Sequence, residues 1–297
     1  MKLQNIFLIV FSLFVTQLSF AQNYKSDFEK LLKENDTINQ LKLLKNWEKV
    51  EPENAELFTS YFNYYLLKSR KEKISLTSQK SSDKSYLLKD SLNKNSFYLG
   101  NKFDFRKSDI QKGFEKIDEG IKLYPNRLDM RFGKIFVFGE IKDWSNFTKE
   151  ILATIDYSTK NNNDWIDNEK NSKGKTFFLQ RIHNFQVQLY RTNDESLLKN
   201  MQEIANEVLK FYPDHVESLS NLSITYILKK EYDKGLIPLL KAEKINPKDV
   251  VVLSNIAQCY TKKGDKKSAI EYYEKMMEFG NANAAAFAKH QIEELQK

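Results

Sequence analysis

One phrase occurs twice near the C-terminus of this 297-residue chain, as LSNLSITY at 219–226 and as LSNIAQCY at 253–260. Leu222 and Ile256 occupy the same place in the two copies, which gives a period of 34 residues without a gap. Apolar residues three and four positions apart predict two amphipathic helices in each copy. Such short units cannot bury their apolar faces alone, so the repeat favours a stack of neighbouring helix pairs.

The two copies also share small and large residues at fixed positions. In the first they are Leu219, Leu222, Ser223, Tyr226, Gly235, Ala242 and Pro247, and in the second Leu253, Ile256, Ala257, Tyr260, Ala269 and Tyr273. This pattern resembles the tetratricopeptide repeat family. The resemblance implies an all-α fold, a right-handed α-α solenoid of helix-turn-helix units, with 216–249 and 250–283 as the best repeats.

Earlier prolines extend the array towards the N-terminus. Pro52 and Pro125 precede similar phrases, and their spacing implies two polar insertions at about 69–107 and 159–178. We therefore predict an opening helix pair over 24–54, an interrupted unit over 55–127, and units beginning near 128, 182, 216 and 250. Residues 284–297 are interpreted as a capping helix.

Three local features complete the structural expectations. In the first insertion, YLLKDS and SFYLGNKFDF flank a turn-like LNKN and suggest a small β-hairpin. Gly235 is interpreted as a close packing contact, because a helical glycine is otherwise unfavourable. Pro238 falls inside a predicted helix, so we expect a bend or a late helix start there.

The N-terminal segment 1–21 has the features of a signal peptide. Lys2 precedes an apolar run over 6–15, and Ser19 and Ala21 occupy the small-residue positions before a cleavage site. We expect cleavage after Ala21, leaving an exported solenoid over 22–297, periplasmic or secreted. The alternative, an uncleaved membrane anchor, requires a longer apolar run of about 20 residues.

The residues indicate no catalytic or metal chemistry. His183, His215 and His290 are spread over different units without metal-ligand spacing. Cys259 lies in an apolar helical pattern and is interpreted as a buried side chain. The net charge of +7 is interpreted as a lysine surplus spread along the chain, which does not favour nucleic-acid binding. No enzyme activity and no cofactor are expected.

Resemblance to the repeat family implies that partners bind the concave face, which the first helix of each unit lines. Carried over position by position, the candidate partner-binding residues are Asn63, Phe132, Phe136, Gln186, Tyr190, Asn221, Ile224, Asn255 and Gln258. The family's clamp for terminal carboxylates is not supported, because Asn255 alone matches it.

These features predict a non-catalytic scaffold or adaptor of the bacterial cell envelope that binds a protein or peptide. One alternative is a glycan- or solute-binding component of an uptake system, with Trp144, Trp165 and Tyr98 as contact points. A second alternative is an enzyme whose site is built by the two insertions. The alternatives differ in whether the aromatic residues gather in one exposed patch.

Overall fold

A computed structural model describes residues 23–77, 86–89, 96–167, 170–171 and 174–297, which form thirteen α-helices and five strands. The predicted signal peptide lies outside the described residues. The helices are α1 Tyr24–Lys33, α2 Thr37–Val50, α3 Ala55–Ser69, α4 Lys107–Leu123, α5 Leu128–Glu140, α6 Trp144–Lys160, α7 Gly174–Tyr190, α8 Leu198–Phe211, α9 Val216–Leu228, α10 Tyr232–Ile245, α11 Val250–Lys263, α12 Lys266–Phe279 and α13 Ala282–Gln296.

The helices pack in chain order as six pairs, α1–α2 through α11–α12, and α13 packs on the last pair. Each pair contacts mainly its neighbours in sequence, as expected of a solenoid in which every unit buries its apolar face on the next. The predicted fold class, an all-α solenoid of helical pairs, is therefore confirmed.

Short polar side chains begin many of these helices. Asp36, Asp143 and Asp265 each accept a hydrogen bond from the backbone N–H three residues later, which satisfies a donor that the first turn leaves free. Asp249 does the same for two N–H groups at the start of α11. Gly264 ends α11 with φ 80°, a conformation that glycine adopts without steric cost. Local sequence thus sets the turns of the solenoid.

Three groups of buried apolar residues form the core. The first joins α1, α2 and α3 around Trp47, the second extends from α3 to α8, and the third covers α9 to α13 around Tyr273. The central group is rich in aromatic rings, including Phe147 and Trp165. Every described helix pair therefore contributes to one of the three groups.

A three-stranded antiparallel sheet lies between α3 and α4, within the first predicted insertion. Its strands are β1 Arg70–Thr77, β2 Tyr86–Lys89 and β3 Ser96–Phe105, in the order β1-β3-β2. The β2–β3 pair confirms the predicted hairpin. The sequence RKEKISLT of β1 was not predicted to be a strand. Its first four residues are all charged, so Ile74 and Leu76 alone give too weak an alternating apolar pattern.

The second insertion contains two short paired strands, β4 Ile166–Asp167 and β5 Lys170–Asn171. They were not predicted, since two-residue strands carry no periodic signal. Helix α7 begins at Gly174, before the expected unit start at 182. The polar run ends earlier than its composition suggests, because TFFLQRI already belongs to α7.

Two helix-interior residues test the packing expectations. Gly235 meets the predicted close approach: its carbonyl accepts a 2.8 Å hydrogen bond from Ser223, and an added Cβ would lie 3.1 Å from Ile227. The late helix start expected at Pro238 is wrong, because α10 runs without interruption from Tyr232. Pro238 is buried in the packed interior, where tertiary contacts override its poor helix propensity.

Candidate protein-binding groove

A groove of about 480 Å³ lies between the first helices of the first three pairs. Its walls come from α1, α3 and α5, which are the helices that the resemblance assigned to the concave face, and Ile117 of α4 completes the lining. Residues from these helices on the walls are Lys25, Phe28, Glu29, Leu32, Glu56, Thr59, Ser60, Phe62, Asn63, Asp129, Met130 and Gly133. Asn63, a predicted site residue, is exposed at this groove.

One arginine holds the wall of the groove together. Arg127, just before α5, lies 2.6 Å from Glu56 of α3 and makes two hydrogen bonds of 2.8 and 2.7 Å to Asp129. Glu56 also lies 3.0 Å from Lys25 of α1. The hydrogen bonds to Asp129, and the charge of Glu56, raise the pKa of Arg127 above its usual value. The ion pairs therefore join three successive first helices and neutralise Glu56 and Asp129 at the groove.

Aromatic rings continue this surface beyond the groove. Phe132 is buried and packs its ring against Phe178 and Phe185 of α7, with the Arg181 guanidinium 5.4 Å from the Phe132 centroid. Phe136, one turn further along α5, is 51% exposed. Of these two predicted site residues, Phe132 is a core contact and Phe136 is presented to solvent.

Two of the predicted site residues have side-chain amides that form hydrogen bonds inside the protein. Asn221 of α9 donates to the side-chain oxygen of Gln186 in α7 and contacts His183 Nδ1 at 3.1 Å. Gln186 in turn donates to the Met201 carbonyl of α8 at 3.2 Å. Both amides are buried. This network joins α7, α8 and α9, so its polar atoms serve packing between units.

The remaining predicted residues are accessible to different degrees. Tyr190 is 47% exposed and lines a cavity of about 240 Å³ at the end of α7. Ile224 and Asn255 are half-buried. Gln258 is exposed and donates to Ser254 at 3.1 Å. The predicted set thus divides into buried packing residues and a series of accessible positions along α3, α5, α7, α9 and α11.

Two histidines lie near one another where α7 meets the start of α9, although sequence analysis treated them as scattered. His215 contacts Ser218 at 2.9 Å and Glu217 at 3.1 Å. Burial lowers the pKa of His183 and of His215, and the nearby His183 charge lowers that of His215 further, whereas Glu217 raises both. Their 32-residue separation in sequence hid this proximity.

The aromatic residues considered for glycan binding do not share an exposed patch. Trp165 is buried and stacks on Phe178, with ring centroids 5.4 Å apart. Trp144 is half-buried against Phe147, and Tyr98 lies in β3. All three residues lie in or near the insertions in sequence, but the Trp165 indole is buried in the core and cannot contact a sugar.

The described residues contain no cluster of three His, Cys, Asp or Glu side chains placed to hold a metal ion. Cys259 is buried, its thiol contacts the Tyr232 carbonyl at 3.3 Å, and burial raises its pKa to about 11. Such a thiol stays protonated and is a poor nucleophile. Among the described helices, none is long and apolar enough to cross a membrane.

Comparison with known proteins found one family match. Residues 251–279 match the model of the tetratricopeptide repeat, which covers α11 and α12. No sequence among the curated proteins matches the chain.

Several solved structures are similar to the chain. The C-terminal part of a TPR repeat-containing protein from Cytophaga hutchinsonii is 12% identical, with 86% of this chain and 78% of that chain covered and a TM-score of 0.43. YrrB, described as a TPR protein with an unusual peptide-binding site, is 11% identical, with coverages of 83% and 97% and a TM-score of 0.39. The MamA protein is 13% identical, with coverages of 58% and 83% and a TM-score of 0.38.

Proposed function

We propose that this chain is a non-catalytic scaffold of the bacterial cell envelope that binds a protein or peptide on the concave face of its solenoid. The observation that carries the proposal is the groove walled by α1, α3 and α5, with Asn63 exposed in it. An extended peptide or a helix has the dimensions of such a groove. Ion pairs around Arg127 hold the walls in place without a ligand, which reduces the ordering cost of binding.

The proposed location rests on the N-terminal sequence. An apolar run followed by Ser19 and Ala21 is typical of an exported chain. N-terminal sequencing of the protein recovered from its own cells tests this part separately. Gln22 as the first residue supports export, and an intact Met1 contradicts it.

Site-specific photo-cross-linking tests the groove. A photo-reactive amino acid replaces Asn63 in the groove, and in a matched variant it replaces Lys199 of α8, a second helix, where the side chain is 82% exposed. We expect one dominant cross-linked protein from position 63 and none of it from position 199, as identified by mass spectrometry. The same products from both positions contradict the proposed groove.

A further inference from the structure

The three-stranded sheet has one apolar face. Its register places Leu76 opposite Leu99, Leu99 opposite Tyr86, and Phe97 opposite Leu88. Directly opposed residues in neighbouring strands lie on the same face, and that face recurs at every second residue. The exposed members of this apolar sheet face are Ile74, Leu76, Tyr86, Leu88, Phe97 and Phe103.

Most of these side chains are open to solvent. Ile74 is 77% exposed, Tyr86 is 75% exposed and Leu76 is 57% exposed. The other face carries polar residues, such as Lys73, which pairs with Asp104 at 2.7 Å. Contiguous apolar patches rimmed by polar residues mark interaction surfaces in soluble proteins.

The apolar sheet face continues into a cleft of the solenoid. Phe103 and Phe105 line, together with α4, α5 and α6, an open cavity of about 830 Å³. Its apolar lining includes Phe114 and Phe138, whose rings are stacked with their centroids 4.3 Å apart. None of its lining residues belongs to the concave groove. The sheet and the cleft thus form a second surface.

The charge surplus of the chain is concentrated in the sequence segment that contains the sheet. Residues 69–107 contain ten basic and four acidic residues, a surplus of six out of the net +7 of the whole chain. The expectation of an evenly spread surplus is therefore wrong. It failed because ion pairs and alternating charges balance the helical units almost completely. A basic sheet attracts acidic partners and repels a second copy of itself.

We propose that the apolar sheet face and the adjoining cleft bind an extended, acidic segment of a partner polypeptide that also carries apolar side chains. Strands β1 and β2 are the edges of the described sheet, and an extended segment adds to a sheet edge through backbone hydrogen bonds. Side chains of an added strand alternate between the two faces of the sheet. Its apolar side chains therefore contact the apolar sheet face and enter the cleft, while its carboxylates lie on the other face, which carries Lys71, Lys73 and Lys89. This goes beyond the proposed function, since the surface is separate from the groove.

A protein segment fits better than an anionic lipid surface. The cleft is concave, whereas a bilayer is flat and would leave it unfilled. Carboxylates also line the cleft, including Asp118 and Glu150, both 2.7 Å from Lys134. This mixed-charge lining suits the apolar side chains of a polypeptide segment better than a layer of lipid phosphates.

Selection of random linear peptides displayed on phage, with the full chain as target, tests the proposal. We expect enrichment of peptides that combine Asp or Glu with apolar residues. The Ile74→Thr/Leu88→Thr double variant keeps strand-forming residues but removes apolar surface from the face. It should bind the selected peptide, measured by fluorescence anisotropy, about tenfold more weakly, as expected when central interface contacts are truncated.

The matched control is Leu87→Thr. Leu87 is 50% exposed, against 44% for Leu88, but points to the opposite face of β2. It should bind the peptide within about twofold of the parent chain. Circular dichroism must show the same helix content for all variants, which separates lost binding from lost folding.

Any of the following results overturns the proposal. They are the absence of enriched peptides, enrichment of basic peptides, equal weakening by Leu87→Thr and the double variant, and binding to phosphatidylglycerol vesicles with no binding to the selected peptide. Concentration-dependent dimers that disappear in the double variant would assign the face to a second copy instead. Cross-linking at position 63 is independent of these results, so the proposal for one binding surface can be contradicted while the proposal for the other stands.

Discussion

At the scale of single residues, Arg127 is the side chain on which the groove depends most. Its side chain is 6% exposed and lies against Glu56 and Asp129 of two different helices. Removing a buried ion-pair partner leaves the others with an uncompensated charge, which is more costly than losing an exposed pair.

Arg127→Met should therefore lower the free energy of unfolding by about 3–5 kcal/mol. The matched control is Lys160→Met, because Lys160 pairs with Asp156 where both are exposed. It should leave the unfolding midpoint in urea unchanged. Equal losses in the two variants would show that the Arg127 network contributes no more than a surface pair.

His183 and His215 predict a pH dependence of stability. Burial lowers both pKa values below the ordinary 6.5, so the folded chain binds fewer protons than the unfolded chain in the window just below that value. The free energy of unfolding is therefore highest above about pH 6.5 and falls as the pH drops towards the folded-state pKa values. Glu217 raises the pKa of His215, whereas His183 and Lys175 lower it.

Urea unfolding of His215→Gln between about pH 7.5 and 5.5 checks this dependence. The variant should lose less stability on acidification than the parent chain, because the proton-linked penalty at His215 is gone. His290→Gln, at an exposed position of α13, is the control and should keep the parent slope. An unchanged slope in His215→Gln would place the titrating groups elsewhere.

At the scale of helices, glycines show how closely the units approach. A Cβ added at Gly120 of α4 would lie 2.8 Å from the Phe58 Cβ and 3.1 Å from the Met130 sulfur. At Gly133 of α5 the nearest atom belongs to Phe62, at 3.5 Å, which is ordinary contact. The same mutation therefore has opposite consequences at the two sites.

Gly120→Ala should lower the free energy of unfolding by about 1–3 kcal/mol through overpacking. Gly133→Ala should raise it by up to about 1 kcal/mol, because alanine favours the helix and finds room. Thermal unfolding followed by circular dichroism distinguishes the two. Stabilisation by Gly120→Ala would show that α3 and α4 can move apart without cost.

Helical elements were predictable wherever the repeat was well preserved. The 34-residue spacing located α9 to α12 because each of these units carries its own small residues at fixed positions. Prediction was poorer at α7, where a polar run reached into the helix, and at Pro238, where packing decides the conformation. Strand β1 was missed because its lysines gave it the composition of a loop.

The site was less predictable than the fold. Positions carried over from the repeat family located accessible side chains such as Asn63 and Phe136, but also Gln186 and Asn221, which bond to each other inside the core. A single sequence cannot show whether a side-chain amide binds a partner protein or forms a hydrogen bond to another residue of the same chain. Likewise, the apolar sheet face emerges only when β1, β2 and β3 are in register.

At the scale of the whole molecule, the solenoid and the sheet should be separable. Each helical unit draws stability from its neighbours, and the Arg106 N–H donates to the Ser69 carbonyl at 2.8 Å, which closes the chain at the base of the sheet. Because the apolar sheet face is exposed, its removal deprives the core of little buried area. The two proposed binding surfaces then depend on different parts of the chain.

Replacing residues 71–104 with a short Gly–Ser linker should therefore leave the helix content intact and shift the thermal midpoint by no more than about 2–4 °C. Binding of the selected acidic peptide should be lost, because the apolar face is removed together with half of the basic surplus of residues 69–107. Cross-linking from position 63 should persist, because α1, α3 and α5 are unchanged. A large loss of thermal stability would instead show that the sheet contributes to the stability of the solenoid. Retained binding of the peptide would show that the acidic segment binds to the helices and not to the sheet.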